Sequence, residues 1–574
     1  MTSDSRVMCF LCRCHGEVGG AVDLESVRNR LLSNPAVASC EVWDSLCLKE
    51  NLTALSERIS SSGGRHAVLG ACSLYSRGDV VINGLEHRGV SPDAIELVDI
   101  REGCSWIHRD NPAAATAKAL DLMRMAVAAR RHRQASDDVH ITASAEVLVI
   151  GAGPAGIAAA ACLERLGMRV HLIDRAKALG GMLNLIDRTA PEESVAIGTA
   201  QRIRQISDSD LVTFYPGARL VSLQGSAGDY AVEIASGGSG HTIRAGAVIV
   251  ATGAKILMPD GLYRHSDLRG VITGIELERR FKTEVQSLPG AVFVQCAGVR
   301  DETRPYCSSI CCLTALKQAR RLLEANPRAH VYIMHRDVMC PGSVLENYYR
   351  ESMSLGVRFV RFDPEKPPVV LGQDEVEAVE VYDALTAETR RIETSLVVLS
   401  SPLTPHDDAG KLAGALGLGR DAHGFFQVRS LMHPVETMKS GLFVCGSARW
   451  PVLARTAVLQ GEAAAMKAHA LLSGKSITAS SLSQYRERKF SLARVNQDAC
   501  TGCGNCVAAC PYDACTLQAI DGAYKSSVDP VRCSGCGTCA SVCPNGSIQL
   551  PELNAAALGE KISTAFSSER EENV

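Results

Sequence analysis

Two short segments near the carboxyl end match each other. Cys500–Pro511 reads CTGCGNCVAACP and Cys533–Pro544 reads CSGCGTCASVCP. Each is C-x2-C-x2-C-x3-C-P, a spacing in which three close thiolates grip one iron–sulfur cube while the fourth reaches the neighbouring cube. Cys500, Cys503, Cys506 and Cys543 are therefore expected to hold one [4Fe-4S] cluster, and Cys533, Cys536, Cys539 and Cys510 the other. The glycines let the backbone wrap closely around each cube, and the prolines turn the chain away after the last ligand. A zinc ribbon is the competing reading, but four cysteines per repeat, in duplicate, argue against it. Cys515 lies outside the pattern and reads as a small buried hydrophobe. Two adjacent cubes have one common use, the passage of single electrons.

This spacing is that of bacterial 2[4Fe-4S] ferredoxins, and it occupies a small part of a 574-residue chain. At roughly 100 to 200 residues per domain, several domains are expected. A net charge of −3 makes no electrostatic case for nucleic acid or an anionic membrane. The start, MTSDSRVMCFLCRCHGE, has no basic segment followed by an apolar run, and no later stretch sustains the ~18 apolar residues of a membrane span. A cytoplasmic protein is expected, and in a reducing compartment 23 clustered cysteines point to metal or redox chemistry rather than disulfides.

A dinucleotide site is expected at EVLVIGAGPAG. This β-branched run ends in G-x-G-x-x-G at Gly151, Gly153 and Gly156, with Pro154 and Ala155 opening a helix whose N-terminus suits a pyrophosphate. The next strand, MRVHLID, ends at Asp174 and Arg175, where a carboxylate would accept hydrogen bonds from a ribose. Three further segments favour FAD over NAD. They are ALGGML with Gly180, Gly181 and Met182, AVIVATGA with Ala251, Thr252 and Gly253, and GLFVCGSARW with Gly446.

The set resembles the two-dinucleotide-domain flavoproteins of the thioredoxin-reductase type. Such enzymes carry a second glycine loop for NAD(P)H, but here the equivalent strand runs GAVFVQCAGVRDETRPYCSSICC and delivers cysteines. Cys296 ends that strand, and Cys307, Cys311 and Cys312 open the next helix, so the four are expected to converge on a third cube. A redox dithiol of Cys311 and Cys312 is the poorer reading, since adjacent cysteines bridge only with strain.

FVQCAGVRD followed by YCSSICCLTALKQA resembles the A component of heterodisulfide reductase (HdrA), and the likeness extends over nearly the whole chain. It implies an FAD/iron–sulfur oxidoreductase whose flavin relays, or splits between two acceptors, the electrons that clusters conduct. It also implies Lys317 as a catalytic residue beside the flavin N5, HdrB- and HdrC-like partner subunits, an electron-donor subunit or ferredoxin, and a homodimer within a larger complex. Cys14, Cys47, Cys72 and Cys104 stand where the family also has cysteine. They hold a fourth cluster, with Cys12 as substitute ligand, or are core thiols. The chain departs from larger members by lacking an inserted ferredoxin module, by Met339, Cys340, Pro341 and Gly342 after the cysteine helix, and by Val299 in place of a common serine. The alternative is a self-contained NAD(P)H-dependent reductase of the glutamate synthase small-subunit type, which needs a second nucleotide loop.

The expected organisation is an N-terminal α/β domain over 1–135, an FAD-binding Rossmann-type domain over 136–479, an α+β ferredoxin domain over 480–553 and a flexible tail over 554–574. A linker around RRHRQASDDVH and a bridging helix over Ser480–Leu492 complete it.

Overall fold

The computed structural model describes residues 6–61, 66–91, 94–130, 140–186, 188–190, 195–283, 288, 290–473, 476–478, 492–520, 522–530, 532–550 and 554–571. The proposed linker after Arg130 and nearly all of the proposed bridging helix lie outside these residues. Two compact units emerge, Ile141–Ile477 and the combination of Met1–His140 with Thr478–Val574. The N-terminal and carboxyl-terminal segments, expected as separate domains, thus cluster as one unit.

The unit Ile141–Ile477 is built on two parallel sheets. In the first, the order is Leu442–Val444, Ala247–Val250, Glu146–Ile150, Arg169–Asp174 and Val212–Pro216. Its central strands are almost wholly Val, Ile and Leu and buried, as expected for a sheet covered on both faces. The helix Pro154–Arg165 starts at Gly153 with proline in its first turn, where a missing N–H costs nothing. Three antiparallel strands, Arg219–Ser226, Asp229–Ser236 and Ser239–Ala245, form an appended layer.

The second sheet runs Val271–Thr273, Val397–Leu399, Gly290–Val294, His330–His335 and Arg358–Arg361, again all parallel. Its strand Gly290–Val294 leads through the loop 295–310 into the helix Cys311–Ala325. Chain order reverses between Gly290–Val294 and Val397–Leu399, and in open sheets of this kind ligands bind at the carboxyl ends of the strands at such a reversal.

In the other unit, the four parallel strands Val37–Trp43, Val7–Cys12, Ala67–Ala71 and Ile95–Asp99 make a sheet between helices. The ferredoxin segment contains the hairpin Cys515–Ile520 with Ala523–Val528, and Arg494–Val495 pairs with Ile548–Gln549. Residues 554–574, expected as a flexible tail, instead include the helix Ala555–Glu571. Its Ala557 is buried and its Lys561 Nζ lies 3.6 Å from Glu96. Its alanines favour the helical backbone, although the residues show no strong apolar periodicity. Among the described residues no helix is long and apolar enough to cross a membrane.

Candidate functional site

The glycine loop is packed so tightly that larger side chains have no room. A Cβ on Gly156 would stand 1.8 Å from the Gly151 carbonyl oxygen. Gly151, at φ +107°, lies against the Ala251 carbonyl and the Thr252 Cα. Gly181, at φ +55°, lies against the Gly153 Cα, and Gly446, at φ +65°, against the Ala155 Cβ. The separate glycine segments therefore meet on one loop, Gly151–Gly156. Gly461, which sequence reading missed, brings the helix Ala454–Leu472 against the Ala155 carbonyl. Asp174 accepts hydrogen bonds from the Ala152 N–H at 2.6 Å and the Ala176 N–H at 2.7 Å, so it braces the loop from the neighbouring strand. Arg175 turns to His406, 2.7 Å from its Nδ1. A loop in which Gly151 and Gly156 leave no space for a Cβ, opening a helix, fits the pyrophosphate of a dinucleotide. Gly156→Ala is expected to cost about 1–3 kcal/mol of strain. FAD retention should fall roughly ten- to hundredfold, read as flavin absorbance per chain after gel filtration.

The middle cysteines converge at the reversal in the second sheet. Cys311 Sγ lies 3.6 Å from the Ser401 carbonyl, just past Val397–Leu399, and Cys307 Sγ accepts from the Ser309 N–H at 3.3 Å. Burial pushes the Cys311 thiol far up, with the charges of Cys312, Cys296 and Cys307 adding to it. Burial likewise pushes Cys312 up to about 12, again with Cys296 and Cys307 among the causes. Four thiols close enough to repel as anions cannot all ionise without a multivalent cation between them, and metal binding would release their protons. Among the described residues no three Cys, His, Asp or Glu side chains close as ligands of one metal ion. A cube needs a wider opening than a single ion, and this donor set has the chemistry for one.

These cysteines adjoin the flavin loops. One apolar cluster contains Ala254, Val299, Tyr306, Leu403 and Phe425, with Met182, Ile256, Cys296, Ile310 and Trp450 packed against it. It joins Met182, Ala254 and Trp450, each beside a flavin segment, to Cys296, Tyr306 and Ile310 of the cysteine loop. Val299, at 2% exposure, fills that cluster, which accounts for an apolar residue at this position. Tyr306 and Trp450 rings stand 5.3 Å apart.

Lys317 is not an exposed helix lysine. It is 3% exposed, its Nζ pairs with Glu278 at 2.6 Å, and it donates to the Arg188 carbonyl at 2.9 Å. Arg188 lies a few residues past the turn Gly181–Leu185, so the ammonium ties the cysteine helix to the flavin side. Glu278 was invisible from sequence, as were Arg300 and Arg336 beside Cys296 and Cys340 beside Cys312. Cys340, in the segment where the chain departs from its family, is buried against the helix Cys311–Ala325.

In the ferredoxin segment, one enclosed cavity is lined by Cys500, Cys503, Cys506 and Cys543, and a second by Cys510, Cys533, Cys536 and Cys539. Each set gathers four thiols around one centre, the donor chemistry of a [4Fe-4S] cluster. Ser526 supplies its hydroxyl to Cys506 at 3.1 Å and its N–H to Cys500 at 3.4 Å, bonds of the kind that tune a cluster's potential. Cys515 is buried as expected but lines the second cavity rather than the core alone.

The N-terminal cysteines are only partly gathered. Cys14, Cys47, Cys72 and Cys104 each follow the carboxyl end of a different parallel strand. Burial raises the Cys12 and Cys72 thiols, and the nearby charge of Cys14 adds to both. Arg101 donates to Cys14 Sγ at 3.1 Å, and Cys47 lies 3.4 Å from the Ser45 hydroxyl. Cys104 stands apart. Its thiol, fully buried in the helix-side core, donates to the Ala115 carbonyl at 3.2 Å, which satisfies it where it lies.

Comparison with known proteins shows what the chain is similar to. Residues 145–297 match the pyridine nucleotide-disulphide oxidoreductase model and residues 493–550 the 4Fe-4S dicluster domain. The chain is 29% identical to the iron-sulfur A component of the CoB–CoM heterodisulfide reductase of Methanocaldococcus jannaschii, over 95% of this chain and 96% of that one. It is 28% identical to the second form of the same component from Methanopyrus kandleri, over 90% and 92%. This is a heterodisulfide-reductase-A-like protein. Among solved structures, T. acidophilum thioredoxin reductase aligns with TM-score 0.40 and 18% identity over 56% of this chain and 97% of that one. The HdrA-like protein is an FAD- and [4Fe-4S]-dependent oxidoreductase that transfers electrons.

Proposed function

We propose that this HdrA-like protein is the flavin component of a cytoplasmic heterodisulfide-reductase-type complex, in which the FAD site exchanges electrons with a cube held by Cys296, Cys307, Cys311 and Cys312. The observation that carries the reading is the apolar cluster that packs Cys296, Tyr306 and Ile310 against Met182, Ala254 and Trp450. When bound, FAD handles electron pairs and the cubes single electrons, which makes relay, or splitting of a pair, available at this junction.

The chain's residues have separable tasks. Gly151, Gly153, Pro154, Ala155 and Gly156 present backbone to a pyrophosphate, and Asp174 faces the ribose side. Arg175, Gly181, Met182, Ala251, Thr252, Gly253 and Gly446 enclose the rest of the dinucleotide. Lys317 holds a positive charge, balanced by Glu278, on the flavin side of the cysteine helix, where it stabilises negative charge on a reduced ring. Val299, Phe425 and Trp450 exclude water between the two centres. The ferredoxin cysteines hold two further cubes in the crossed sets lining the two cavities. A fourth is held by Cys14, Cys47 and Cys72 with Cys12, since Cys104 is satisfied elsewhere. HdrB- and HdrC-like subunits carry out the substrate chemistry, a donor subunit or ferredoxin supplies electrons, and the chain pairs as a homodimer.

Anaerobic mixing of the purified chain with NADH or NADPH, alongside reduced ferredoxin, tests the reading. Ferredoxin should bleach the flavin while the pyridine nucleotides leave it oxidised, because the loop that would cradle their pyrophosphate carries cysteines. Rapid bleaching by either nucleotide would establish the self-contained glutamate-synthase-type reductase instead.

A further inference from the structure

We propose that the two cubes of the ferredoxin segment are unequal. Ser526, Ser547 and Lys525 are positioning residues that raise the reduction potential of the cube held by Cys500, Cys503, Cys506 and Cys543 above that of its neighbour, so a single electron reaching the pair comes to rest there. The inference rests on the crossed assignment of the eight thiols.

The two repeats share an internal symmetry that the backbone keeps and the side chains break. Ser526 and Ala493 each stand seven residues before the first cysteine of a repeat. Each donates its N–H to the first cysteine of the other repeat, Ser526 to Cys500 Sγ at 3.4 Å and Ala493 to Cys533 Sγ at 3.5 Å. Ser547 and Ala514 likewise each stand four residues after the last cysteine of a repeat. In both pairs the serine serves the Cys500 set and the alanine serves its neighbour. Ser526 Oγ lies 3.1 Å from Cys506 Sγ, and Ser547 Oγ lies 3.1 Å from Cys543 Sγ. Where the alanines stand, only backbone reaches the sulfurs, through the Ala493 N–H and through the Ala514 N–H to Cys510 Sγ at 3.3 Å.

A sulfur bound to iron carries no proton, so in the loaded protein each hydroxyl is the donor and the sulfur the acceptor. Ser526 at 2% and Ser547 at 6% exposure are shut off from water that would compete for these bonds. Lys525 adds a full charge on the same side. Its Nζ donates to the Cys500 carbonyl at 2.7 Å and to the Gln497 carbonyl at 2.9 Å, and the corresponding position of the other repeat is Leu492. The neighbouring cube has less. Thr538 Oγ1 stands 3.3 Å from Cys536 Sγ, but that ligand is exposed and water competes there. Arg532, beside Cys533, faces Asp529 at 3.4 Å, and the carboxylate offsets its charge.

The sign of the effect follows from charge. Reduction adds an electron to a cube, and hydrogen-bond donors and cations at its ligands stabilise the reduced form, so the potential rises. An electron that moves from the Cys533 set to the Cys500 set oxidises the first cube and reduces the second, one for one, and the higher potential of the second makes that direction downhill. A merely structural serine would change stability and leave both midpoints where they are.

The test is an EPR-monitored redox titration of the full chain, purified anaerobically. The signal lost in Cys506→Ala identifies the first cube, and the signal lost in Cys539→Ala identifies its neighbour. In the wild type the first should have the higher midpoint. Ser526→Ala combined with Ser547→Ala should shift that midpoint down by a tenfold change in the one-electron equilibrium constant, about 59 mV, and leave the neighbour's unchanged. Lys525→Met should also lower it, whereas Ala493→Ser should raise the neighbour's. Iron content should match wild type in these variants. If the double variant loses iron, Lys525→Met and Ala493→Ser decide by the same signs. Equal or reversed midpoints in the wild type, or a first midpoint that does not respond to loss of the two hydroxyls, overturn this inference and leave the crossed assignment in place. Serine variants that move the signal lost in Cys539→Ala overturn the crossed assignment, and this inference with it.

Discussion

Lys317→Met is expected to destabilise the flavin unit by about 3–5 kcal/mol, because it strips the cation from Glu278, which is 1% exposed. The pair is held by more than its own charges. Gln318 Nε2 donates to Glu278 Oε1 at 2.6 Å and to the Gly274 carbonyl at 2.8 Å, and Lys317 donates to the Arg188 carbonyl. Removing the ammonium leaves these partners fixed around a buried carboxylate that water cannot reach, so the loss approaches the full desolvation penalty. Removing the carboxylate as well, in Lys317→Met with Glu278→Gln, should restore most of the stability, since a neutral amide tolerates burial. Urea unfolding followed by release of flavin fluorescence reads both variants. The flavin potential should also fall in Lys317→Met, because the positive charge that favours an anionic reduced ring is gone. An unshifted potential with the stability loss intact would confine Lys317 to a structural role.

The second large effect is compositional. Cys311→Ser and Cys312→Ser should each lose roughly four iron and four sulfide per chain, the content of one cube, with FAD retained. The retention follows from geometry. The glycine loop closes on its own segments, Gly151 against Ala251 and Thr252, Gly181 against Gly153, and Gly446 against Ala155. Cys340→Ser, by contrast, should keep all its iron. That thiol is raised to about 11 by burial and lies in the apolar layer that packs the helix Cys311–Ala325. Iron and acid-labile sulfide per FAD measure all three. Loss of flavin together with iron in Cys311→Ser would mean that the two sites are one folding unit rather than two neighbours.

Much of the fold was legible because its signals are local. A strand of Val, Ile and Leu running into G-x-G-x-x-G and an alanine-rich helix says strand, tight turn and helix N-terminus within about twenty residues, and the structure has them at Glu146–Ile150 and Pro154–Arg165. One strand of the second sheet was visible in the same way, as GAVFV. The helix over Ala555–Glu571 was not, because its contacts are with a distant part of the chain and its own sequence shows no marked apolar face.

Within the site, ligand spacing in the ferredoxin repeats determined which thiols lie together, since a few residues of turn can reach only so far around one centre. The same logic grouped Cys307, Cys311 and Cys312. It could not reveal that Glu278 neutralises Lys317, that Asp337 clasps the arginine beside Cys296, or that Cys104 turns its sulfur to Ala115 instead of joining Cys14 and Cys72. Each of those facts depends on strand order and helix packing, which bring together residues separated by tens of positions, and a one-dimensional pattern constrains only what a single turn of backbone can span. Chemistry carried by neighbours in sequence was therefore decided by the residues themselves. Charge balance, burial and the choice among competing thiols were decided by the tertiary structure.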